Sequence, residues 1–338
     1  MKHDYSKYGN GSWFKTAKKG LMIHWGLYSY FGGEFKSKQC DNYAEWIQSY
    51  FKIPNKTLEK IASIFNPVNF NAEGLVSFAK KHGYKYIVFT AKHHEGFAMY
   101  HSKIDKYNVV DSSPYNKDIL LDLSLACKKF GIKLGIYYSQ DIDWHERNGG
   151  GFKTPVENCA GSSWDNNWDF KDKNKNFDEY FYSKALPQIK ELMTNYGEIA
   201  TAWFDMPLTL TSKQSKEIYD LVKKYQPNCL INSRLGNGCY DYVSFGDNEI
   251  PDSITQLDSC TDFNSINGLK PSPTNLYECC CTLNQSWGFT KFPQWKDIQT
   301  LKENLKKANK IGANFLINIG IDFNGNIPDK AIELLSNL

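Results

Sequence analysis

Several side chains that could perform acid–base or nucleophilic chemistry follow short apolar runs of this 338-residue chain. His24 and Trp25 end the first such run, His93 and His94 follow the second, and Asp205 ends the fourth. Carboxylates act as nucleophiles or proton carriers, and imidazoles bind hydroxyl groups or metal ions. One polar residue at a strand end is usually a turn or cap residue, whereas a series at successive strand ends indicates a binding site for a polar ligand.

Asp205 is the strongest candidate for a reactive carboxylate. It ends an apolar run, where an unpaired carboxylate is costly to remove from water unless it has a function. Glycoside hydrolysis needs a second carboxyl group in a different protonation state, for which Asp247, Glu249, Glu278 and Glu45 are candidates. Asp247 lies just past the sixth apolar run, whereas Glu278 lies near the start of the seventh, so the strand direction favours Asp247 as the proton donor.

The three histidines near these strand ends allow two interpretations. His24, His93 and His94 would form a metal site if a carboxylate or a third imidazole lay in register with them. As neutral imidazoles they would instead donate and accept hydrogen bonds, which suits the hydroxyl groups of a sugar. The residues alone leave both interpretations open.

The apolar runs that carry these residues have the length of buried strands. Each is nearly continuous in apolar residues, as expected of parallel strands that are covered on both faces. The eight predicted strands are 20–26, 84–91, 133–139, 199–205, 229–234, 242–246, 277–283 and 313–320.

Amphipathic helical stretches separate most of these strands. The predicted helices are 71–83, 118–131, 177–197, 212–225, 295–312 and 327–338. Eight strands alternating with helices predict an α/β fold of the (β/α)₈ TIM-barrel type, in which sites lie at the carboxyl ends of the strands. An open doubly wound sheet is the alternative, but the sequence has no dinucleotide-binding glycine fingerprint. Two long polar segments, 141–175 and 247–275, are expected over the active face.

The composition argues against several classes of partner and location. The formal net charge is +3 and no long run of lysine or arginine occurs, so neither nucleic acid nor a membrane is an expected partner. The nine cysteines include no CxxC pair, which argues against a zinc module, and mostly reduced thiols favour the cytoplasm. No secretory signal precedes the first strand, so we expect a cytoplasmic protein as the chain stands, or a secreted one if a leader was removed.

Blocks along the whole chain, in the correct order, resemble the α-L-fucosidases of glycoside hydrolase family 29. GLMIHWGLYS is similar to the opening strand of the family, and FTAKHHEGFAMYHSK with YNVVDSSP is similar to its most recognisable block. LGIYYS and AWFD match the third and fourth strands. INSR, GDNEIP, TLNQSWGF and ANFLINIG continue the match, so that the resemblance spans nearly all of the chain.

The resemblance implies an exo-acting, retaining α-L-fucosidase that forms a covalent fucosyl-enzyme intermediate. It identifies Asp205 as the nucleophile and implies neither a metal nor an organic cofactor. Its substrates would be fucosylated oligosaccharides or glycoconjugates, and it implies no particular oligomeric state. The substrate-binding residues that it implies are His24, Glu45, Trp46, His93, His94, Tyr137, Trp203, Arg234 and Trp287.

The position of the acid/base differs between branches of this family. Asp247, just before an Ile-Pro turn, matches the position used in one branch, although a glutamate is often found there. Glu278 matches a glutamate of the seventh strand that another branch uses. We therefore expect Asp247 to be the acid/base, with Glu278 as the second choice.

Three departures from the family pattern bear on these expectations. Glu95 stands where the family usually has aspartate, and Met206 stands where it commonly has glycine, which narrows the space beside the nucleophile. No counterpart of the C-terminal β-sandwich of many members follows, so we expect residues 1–338 to form a single catalytic barrel domain. Two alternative functions stay open: a fucose-binding barrel with weak or no catalysis, and a metal-dependent barrel hydrolase.

Overall fold

Eight parallel strands form the centre of the protein in a computed structural model that describes residues 11–153, 162–172, 174–257 and 269–338. They are β1 (Lys19–His24), β2 (Tyr86–Lys92), β3 (Lys133–Tyr138), β4 (Thr201–Phe204), β5 (Leu230–Ile231), β6 (Val243–Ser244), β7 (Tyr277–Thr282) and β8 (Ala313–Gly320). Each lies within or close to one of the eight predicted strands. Their nearly continuous burial is the reason that their apolar runs do not alternate with polar residues.

The order of the strands in the sheet is β5-β4-β3-β2-β1-β8-β7-β6. Neighbouring strands are parallel throughout. An isolated parallel bridge between Asn232 and Tyr242 joins the two edge strands, β5 and β6, so the sheet curls round on itself. The α/β fold of the (β/α)₈ type is thereby confirmed, and the carboxyl ends of all eight strands lie at one end of the barrel.

Helices follow most of the strands, as predicted. The helices that close or connect the barrel are α1 (Ser12–Ala17), α2 (Ile47–Phe51), α3 (Asn55–Ala62), α4 (Ala72–Lys81), α5 (Ile119–Phe130), α6 (Phe177–Tyr180), α7 (Leu186–Asn195), α8 (Ser212–Tyr225), α9 (Ile298–Lys310) and α10 (Asp329–Asn337). A short hairpin, Glu34–Phe35 with Lys38–Gln39, lies after β1. Between β5 and β6 there is only a 3₁₀ turn, Ser233–Leu235, because eleven residues leave no room for a packed helix.

Local sequence signals explain where these helices begin and end. The side chains of Asn71 and Asp118 accept hydrogen bonds from the first turns of α4 and α5, and Gly131 ends α5 in the left-handed conformation. Pro187 lies in the first turn of α7 and has no N–H to donate to the helical turn that precedes it. The π-helical segment Phe181–Ala185 before it joins α6 to α7, so the predicted helix 177–197 is one helical segment whose α-helical parts are separated by a π-helical turn.

The barrel interior is filled mainly by aromatic and aliphatic side chains. This inner cluster includes Tyr86, Tyr137, Trp203, Tyr242 and Cys280, while a larger cluster fills the space between the sheet and the helices. Cysteines 127, 229, 279, 280 and 281 are buried, free thiols, as the interpretation of small apolar residues predicts, and cysteines 159 and 260 lie outside the described residues. In the described ranges, no helix has both the length and the apolar character needed to cross a bilayer.

Candidate active site

Asp205 lies directly after β4, at the carboxyl end of the barrel. Its Oδ2 accepts a hydrogen bond of 2.8 Å from the hydroxyl of Tyr137 on β3, and its Oδ1 lies 3.1 Å from Nη1 of Arg234. Its backbone N–H donates to the side chain of Gln140 at 2.9 Å, which fixes the turn that presents the carboxylate. The side chain is only 12% exposed, so Asp205 is a largely buried carboxylate that is held by these specific hydrogen-bond donors.

Arg234 connects Asp205 to the second predicted carboxylate, Asp247. Its Nη2 donates to Oδ1 of Asp247 at 2.6 Å, and its guanidinium lies over the ring of Trp203, 4.7 Å from the ring centroid. Asp247 follows β6 and is 23% exposed, about twice as much as Asp205. The structure therefore brings together the two carboxylates that strand direction favoured, on two nitrogens of one guanidinium.

Glu278 is fully buried inside the barrel. Its carboxylate accepts hydrogen bonds from the hydroxyl of Tyr86 at 2.6 Å and from Nε1 of Trp203 at 2.9 Å. Burial raises its pKa to about 7, against the opposing effects of Tyr86, Trp203 and Arg234. That pKa would suit a proton donor, but no face of this side chain reaches solvent, so the geometry favours Asp247 over Glu278.

His94 presents an unprotonated nitrogen to the pocket. The hydroxyl of Ser139 donates to the carbonyl of Ile142 at 2.7 Å, so it accepts from Nδ1 of His94 at 2.7 Å, which leaves Nε2 as the acceptor. This Nε2 lies 3.9 Å from Oδ2 of Asp205. Burial holds the pKa of His94 well below its ordinary value of 6.5, so the imidazole is neutral and the contact with Asp205 is not an ion pair.

His24 is oriented by a similar relay from β8. The amide nitrogen of Asn318 donates to the carbonyl of Trp287 at 2.7 Å, which turns its oxygen towards Nδ1 of His24 at 2.6 Å. His24 therefore carries its proton on Nδ1, and Nε2 is free to accept a hydrogen bond. Burial lowers the pKa of His24 to about 4, with a smaller contribution from Arg234.

His93 lies between these two imidazoles. Its ring is stacked on Tyr137 at 5.5 Å and lies 5.5 Å from His24 and 4.1 Å from His94, centroid to centroid. Its Nδ1 is buried without a hydrogen-bond partner among the described residues. Burial lowers its pKa well below 6.5, followed by the effect of the neighbouring histidines. A buried polar nitrogen of this kind is satisfied by a ligand or water.

Glu45 and the two remaining tryptophans complete the predicted set. Glu45 is buried, and its Oε2 accepts hydrogen bonds from the backbone N–H of Gly288 at 2.7 Å and from the hydroxyl of Ser286 at 3.2 Å. Burial raises the pKa of Glu45 to about 7. Trp287 lies 5.3 Å from His24, and Trp46 lies 4.9 Å from His94. All twelve predicted site residues thus lie at this end of the barrel or directly beneath it.

A buried apolar cluster lies beside the pocket, with Trp46 and Trp144 next to His94. We call this cluster the aromatic rim and define it as Trp46, Ile142, Trp144 and Trp164. The side chains of Met206 and Leu208 pack against this rim. Met206 has a φ of 53°, in the left-handed region that favours glycine, which gives a physical reason for glycine at this position in the family. Methionine at position 206 therefore has an unfavourable backbone conformation, and it places an apolar side chain next to Asp205 in the chain.

Glu95, the other departure, lies away from the pocket and holds the backbone. Its two oxygens accept hydrogen bonds from the N–H groups of Leu27 and Tyr28, at 2.7 and 3.0 Å. These donors belong to the 3₁₀ turn that follows β1, so Glu95 caps that turn. Burial raises the pKa of Glu95 to about 8.

The metal hypothesis finds little support in the geometry. Among the described residues, one group of ligand atoms lies close enough together for an ion, and it consists of Asp105, His145 and Glu146 rather than the three pocket histidines. The ammonium of Lys184 lies 2.5 Å from Asp105 and 3.0 Å from Glu146, so the positive charge beside these carboxylates comes from a lysine.

Sequence reasoning missed the residues that orient the site. Gln140 binds the backbone of Asp205, and its amide nitrogen also donates to the carbonyl of Arg234 at 3.2 Å. Tyr86 binds Glu278 from the far side of the barrel. Gln140 directly follows a predicted strand, which was a usable signal, whereas nothing in the local sequence of Tyr86 indicates a partner 192 residues away.

Comparisons with known proteins agree with this geometry. A family model described as Alpha-L-fucosidase matches residues 2–338. The α-L-fucosidase of Dictyostelium discoideum is 25% identical, with 96% of this chain and 68% of that protein aligned. Human plasma α-L-fucosidase is 26% identical, with 94% and 64% aligned. The chain thus spans about two thirds of the length of these curated relatives.

Solved structures give a closer likeness. Unliganded α-L-fucosidase AlfC from Lactobacillus casei has a TM-score of 0.89 and is 53% identical, with 97% of this chain and 96% of that chain covered. The α-L-fucosidase of Vibrio sp. strain EJY3 has a TM-score of 0.85 and is 32% identical, with 98% and 55% covered. With its barrel, its paired carboxylates and a family match over almost its whole length, this chain belongs to the α-L-fucosidases, a family of glycoside hydrolases.

Proposed function

We propose that this protein hydrolyses terminal α-L-fucosyl residues from glycans with retention, by double displacement at Asp205. The observation that carries the proposal is the largely buried Asp205 carboxylate, held by Tyr137 and Arg234 beside the more exposed Asp247. Retaining glycosidases need one carboxylate fixed for attack and a second carboxyl group near enough to serve the same bond.

In the first step, an oxygen of Asp205 attacks the anomeric carbon of the fucosyl residue. The bond to the leaving oxygen breaks as the carboxyl group of Asp247 donates its proton there. The product is a covalent ester between Asp205 and the sugar, with inverted configuration, and a released glycan. Tyr137 keeps the attacking carboxylate in position, because its ring is also stacked on Trp203 at 5.5 Å.

In the second step, water replaces the ester. The carboxylate of Asp247 takes a proton from the water as its oxygen attacks the anomeric carbon, and Asp205 leaves as a carboxylate. Two inversions give net retention. This step returns the proton to Asp247, so the pair is ready for the next substrate without any cofactor in the balance.

The neutral imidazoles and Glu45 suit the hydroxyl groups of the sugar. Nε2 of His94 and Nε2 of His24 are acceptors, and the buried nitrogen of His93 lies between them. Trp287 and the ring of Trp46 offer apolar faces for the C5-methyl group and the ring edge. Related AlfC structures contain 4-nitrophenyl α-L-fucopyranoside or Fuca(1,6)GlcNAc, which supports fucosylated glycans as the substrate class here.

Hydrolysis of 4-nitrophenyl α-L-fucopyranoside, followed by proton NMR, tests the proposal. We expect the α-anomer of L-fucose to appear first, with the β-anomer following by mutarotation. Asp205→Asn should lower kcat by several powers of ten while the fold and the affinity for fucose persist. Asp220→Asn, on the outer face of α8, is the matched control and should keep wild-type turnover.

Other results would replace the proposal by one of its alternatives. Binding of fucose without any product from the wild-type protein would identify a catalytically silent barrel. Loss of wild-type turnover with a chelator, restored by a metal ion, would identify a metal-dependent hydrolase. Near-wild-type turnover by Asp205→Asn would reject Asp205 as the nucleophile.

A further inference from the structure

A polar cleft of about 540 Å³ lies at the carboxyl end of the barrel, beside the pocket. One wall is the segment that leaves the hairpin, and the other is the loop that follows β7. Its volume falls within the roughly 300–1,000 Å³ range of small-ligand sites. The residues that matter most for its chemistry are Gln39, Asp41, Tyr43, Gln285, Phe292 and Gln294.

The cleft shares a wall with the pocket. Ser286 and Ala44 both line the cleft, and the hydroxyl of Ser286 accepts from the N–H of Ala44 at 2.8 Å while it donates to Glu45. Tyr43, which also lines the cleft, packs against both the inner cluster and the aromatic rim. One layer of residues, Ala44, Glu45 and Ser286, therefore separates the cleft from the pocket.

The chemistry of the lining is that of a carbohydrate subsite. Side-chain amides and a carboxylate offer both donors and acceptors to hydroxyl groups, and aromatic rings offer faces to the C–H side of a pyranose. The ring of Phe292 is 40% exposed although it stands in a polar loop. The backbone that carries this ring is fixed by Gln285, whose side-chain amide donates to the carbonyl of Phe292 at 2.9 Å and accepts from the N–H of Gln294 at 2.8 Å.

We propose that this cleft binds a pyranose unit of the glycan that carries the fucosyl residue, with Phe292 as its stacking platform. The proposal rests on the proposed function. Ser286 in the lining binds Glu45, and neither Asp205 nor Asp247 lines the cleft, so the bound unit is not the sugar at the scissile bond but one further along the chain. The site adds affinity and glycan selectivity, and it takes no part in bond breaking.

The test uses pairs of fucosylated substrates that share a linkage and differ by one sugar. For each pair, the gain is the ratio of kcat/KM for the longer substrate to kcat/KM for the shorter one. We expect a gain of about tenfold for wild-type protein on at least one pair, as one aromatic stacking contact would give. Phe292→Ala should remove this gain, and Gln294→Ala should reduce it, while kcat/KM on 4-nitrophenyl α-L-fucopyranoside stays within twofold of wild type.

Tyr182→Ala is the matched control, because this ring is 44% exposed on the outer helical layer and should leave the gain intact. A wild-type protein without any gain, or a Phe292→Ala variant that keeps it, would overturn the proposal. Equal losses on short and long substrates would also overturn it. A wild-type protein inactive on the aryl fucoside would instead refute the proposed function, so the two failures are distinguishable.

Discussion

The guanidinium of Arg234 donates to Asp247 at 2.6 Å through one nitrogen, while its other terminal nitrogen faces the proposed nucleophile. One guanidinium thus bridges the two carboxyl groups that the proposed mechanism uses, one for attack and one for proton transfer. Cys280 lies beneath the pair, with its sulfur 3.6 Å from Arg234, so Arg234 has little room to retreat into the barrel.

The first prediction separates Asp247 from Glu278 as the acid/base. Asp247→Ala should lower kcat/KM on fucosylated oligosaccharides by roughly 10²–10⁴-fold, the usual contribution of a general acid. The loss on 4-nitrophenyl α-L-fucopyranoside should be smaller, because nitrophenolate leaves without protonation. Azide should restore turnover of the aryl substrate and give a fucosyl azide, detected by mass spectrometry.

Glu278→Ala should behave differently, because its carboxylate is sealed within the barrel. It leaves the hydroxyl of Tyr86 and the N–H of Trp203 without their acceptor, which should lower the free energy of unfolding by about 2–5 kcal/mol. Activity should fall on both substrate types without rescue by azide. Azide rescue of this variant, and not of Asp247→Ala, would reverse the assignment.

Tyr137→Phe is predicted to damage turnover more than folding. The change removes the donor to Asp205 but keeps the ring that is stacked between His93 and Trp203. A hydrogen bond to a charged group contributes roughly 1.5–3 kcal/mol, so kcat should fall about 10- to 100-fold. Steady-state kinetics and thermal unfolding measured together would check this, and a fall in Tm without a fall in kcat would contradict it.

Strand positions were predictable because burial on both faces removes polar residues from each strand. The carboxyl-end rule then placed His24, His94 and Asp205 together without any knowledge of contacts. The sequence could not show that Asn318 and Ser139 set the proton positions on two of the imidazoles. Those assignments depend on the second hydrogen bond of each residue: Asn318 donates to the carbonyl of Trp287, and Ser139 donates to the carbonyl of Ile142. Such contacts between distant residues leave no periodic pattern in the sequence.

The role of Glu278 illustrates the other limit. Its place near the start of an apolar strand predicted a position away from the pocket, yet its carboxylate binds Trp203, whose ring supports Arg234. A long tryptophan side chain bridges two layers of the barrel interior, and strand order alone does not reveal this. Strand direction was enough to rank Asp247 above Glu278 as the acid/base, but it could not show that Glu278 is tied to Trp203.

His24 should make the stability of the fold depend on pH. Its folded pKa is about 4 and its ordinary value is 6.5, so between these values the unfolded chain takes up a proton that the folded one does not. The contribution of His24 to stability is therefore fully present above pH 6.5 and is lost as the pH falls towards 4. Between pH 7 and pH 5, the free energy of unfolding of wild type should fall by about 2 kcal/mol more than that of His24→Gln.

Urea unfolding at the two pH values would measure this difference. Buried carboxyl groups with a raised pKa, such as Glu45, have the opposite effect, because they make the fold more stable as the pH falls. Glu45 is present in both proteins, so its effect cancels when wild type is compared with His24→Gln. His101→Gln, at a half-exposed histidine, is the control. Its free energy of unfolding should fall by the same amount as that of wild type between the two pH values. An equal pH dependence of wild type and His24→Gln would show that the imidazole is not held neutral.

The last prediction concerns the backbone beside the nucleophile. Met206 adopts a φ of 53°, where a side chain costs roughly 1–2 kcal/mol, and it packs against the aromatic rim. Both Met206→Ala and Met206→Gly lose that packing, but only glycine relieves the backbone. We therefore expect Met206→Gly to be about 1 kcal/mol more stable to unfolding than Met206→Ala.

The same pair of changes at Lys36, an exposed turn residue with a φ of 50°, measures the backbone effect alone. If Met206→Gly were less stable than Met206→Ala while Lys36→Gly was more stable than Lys36→Ala, the aromatic rim would be holding this turn through contacts beyond the side chain, and the idea of backbone strain at Met206 would have to be given up.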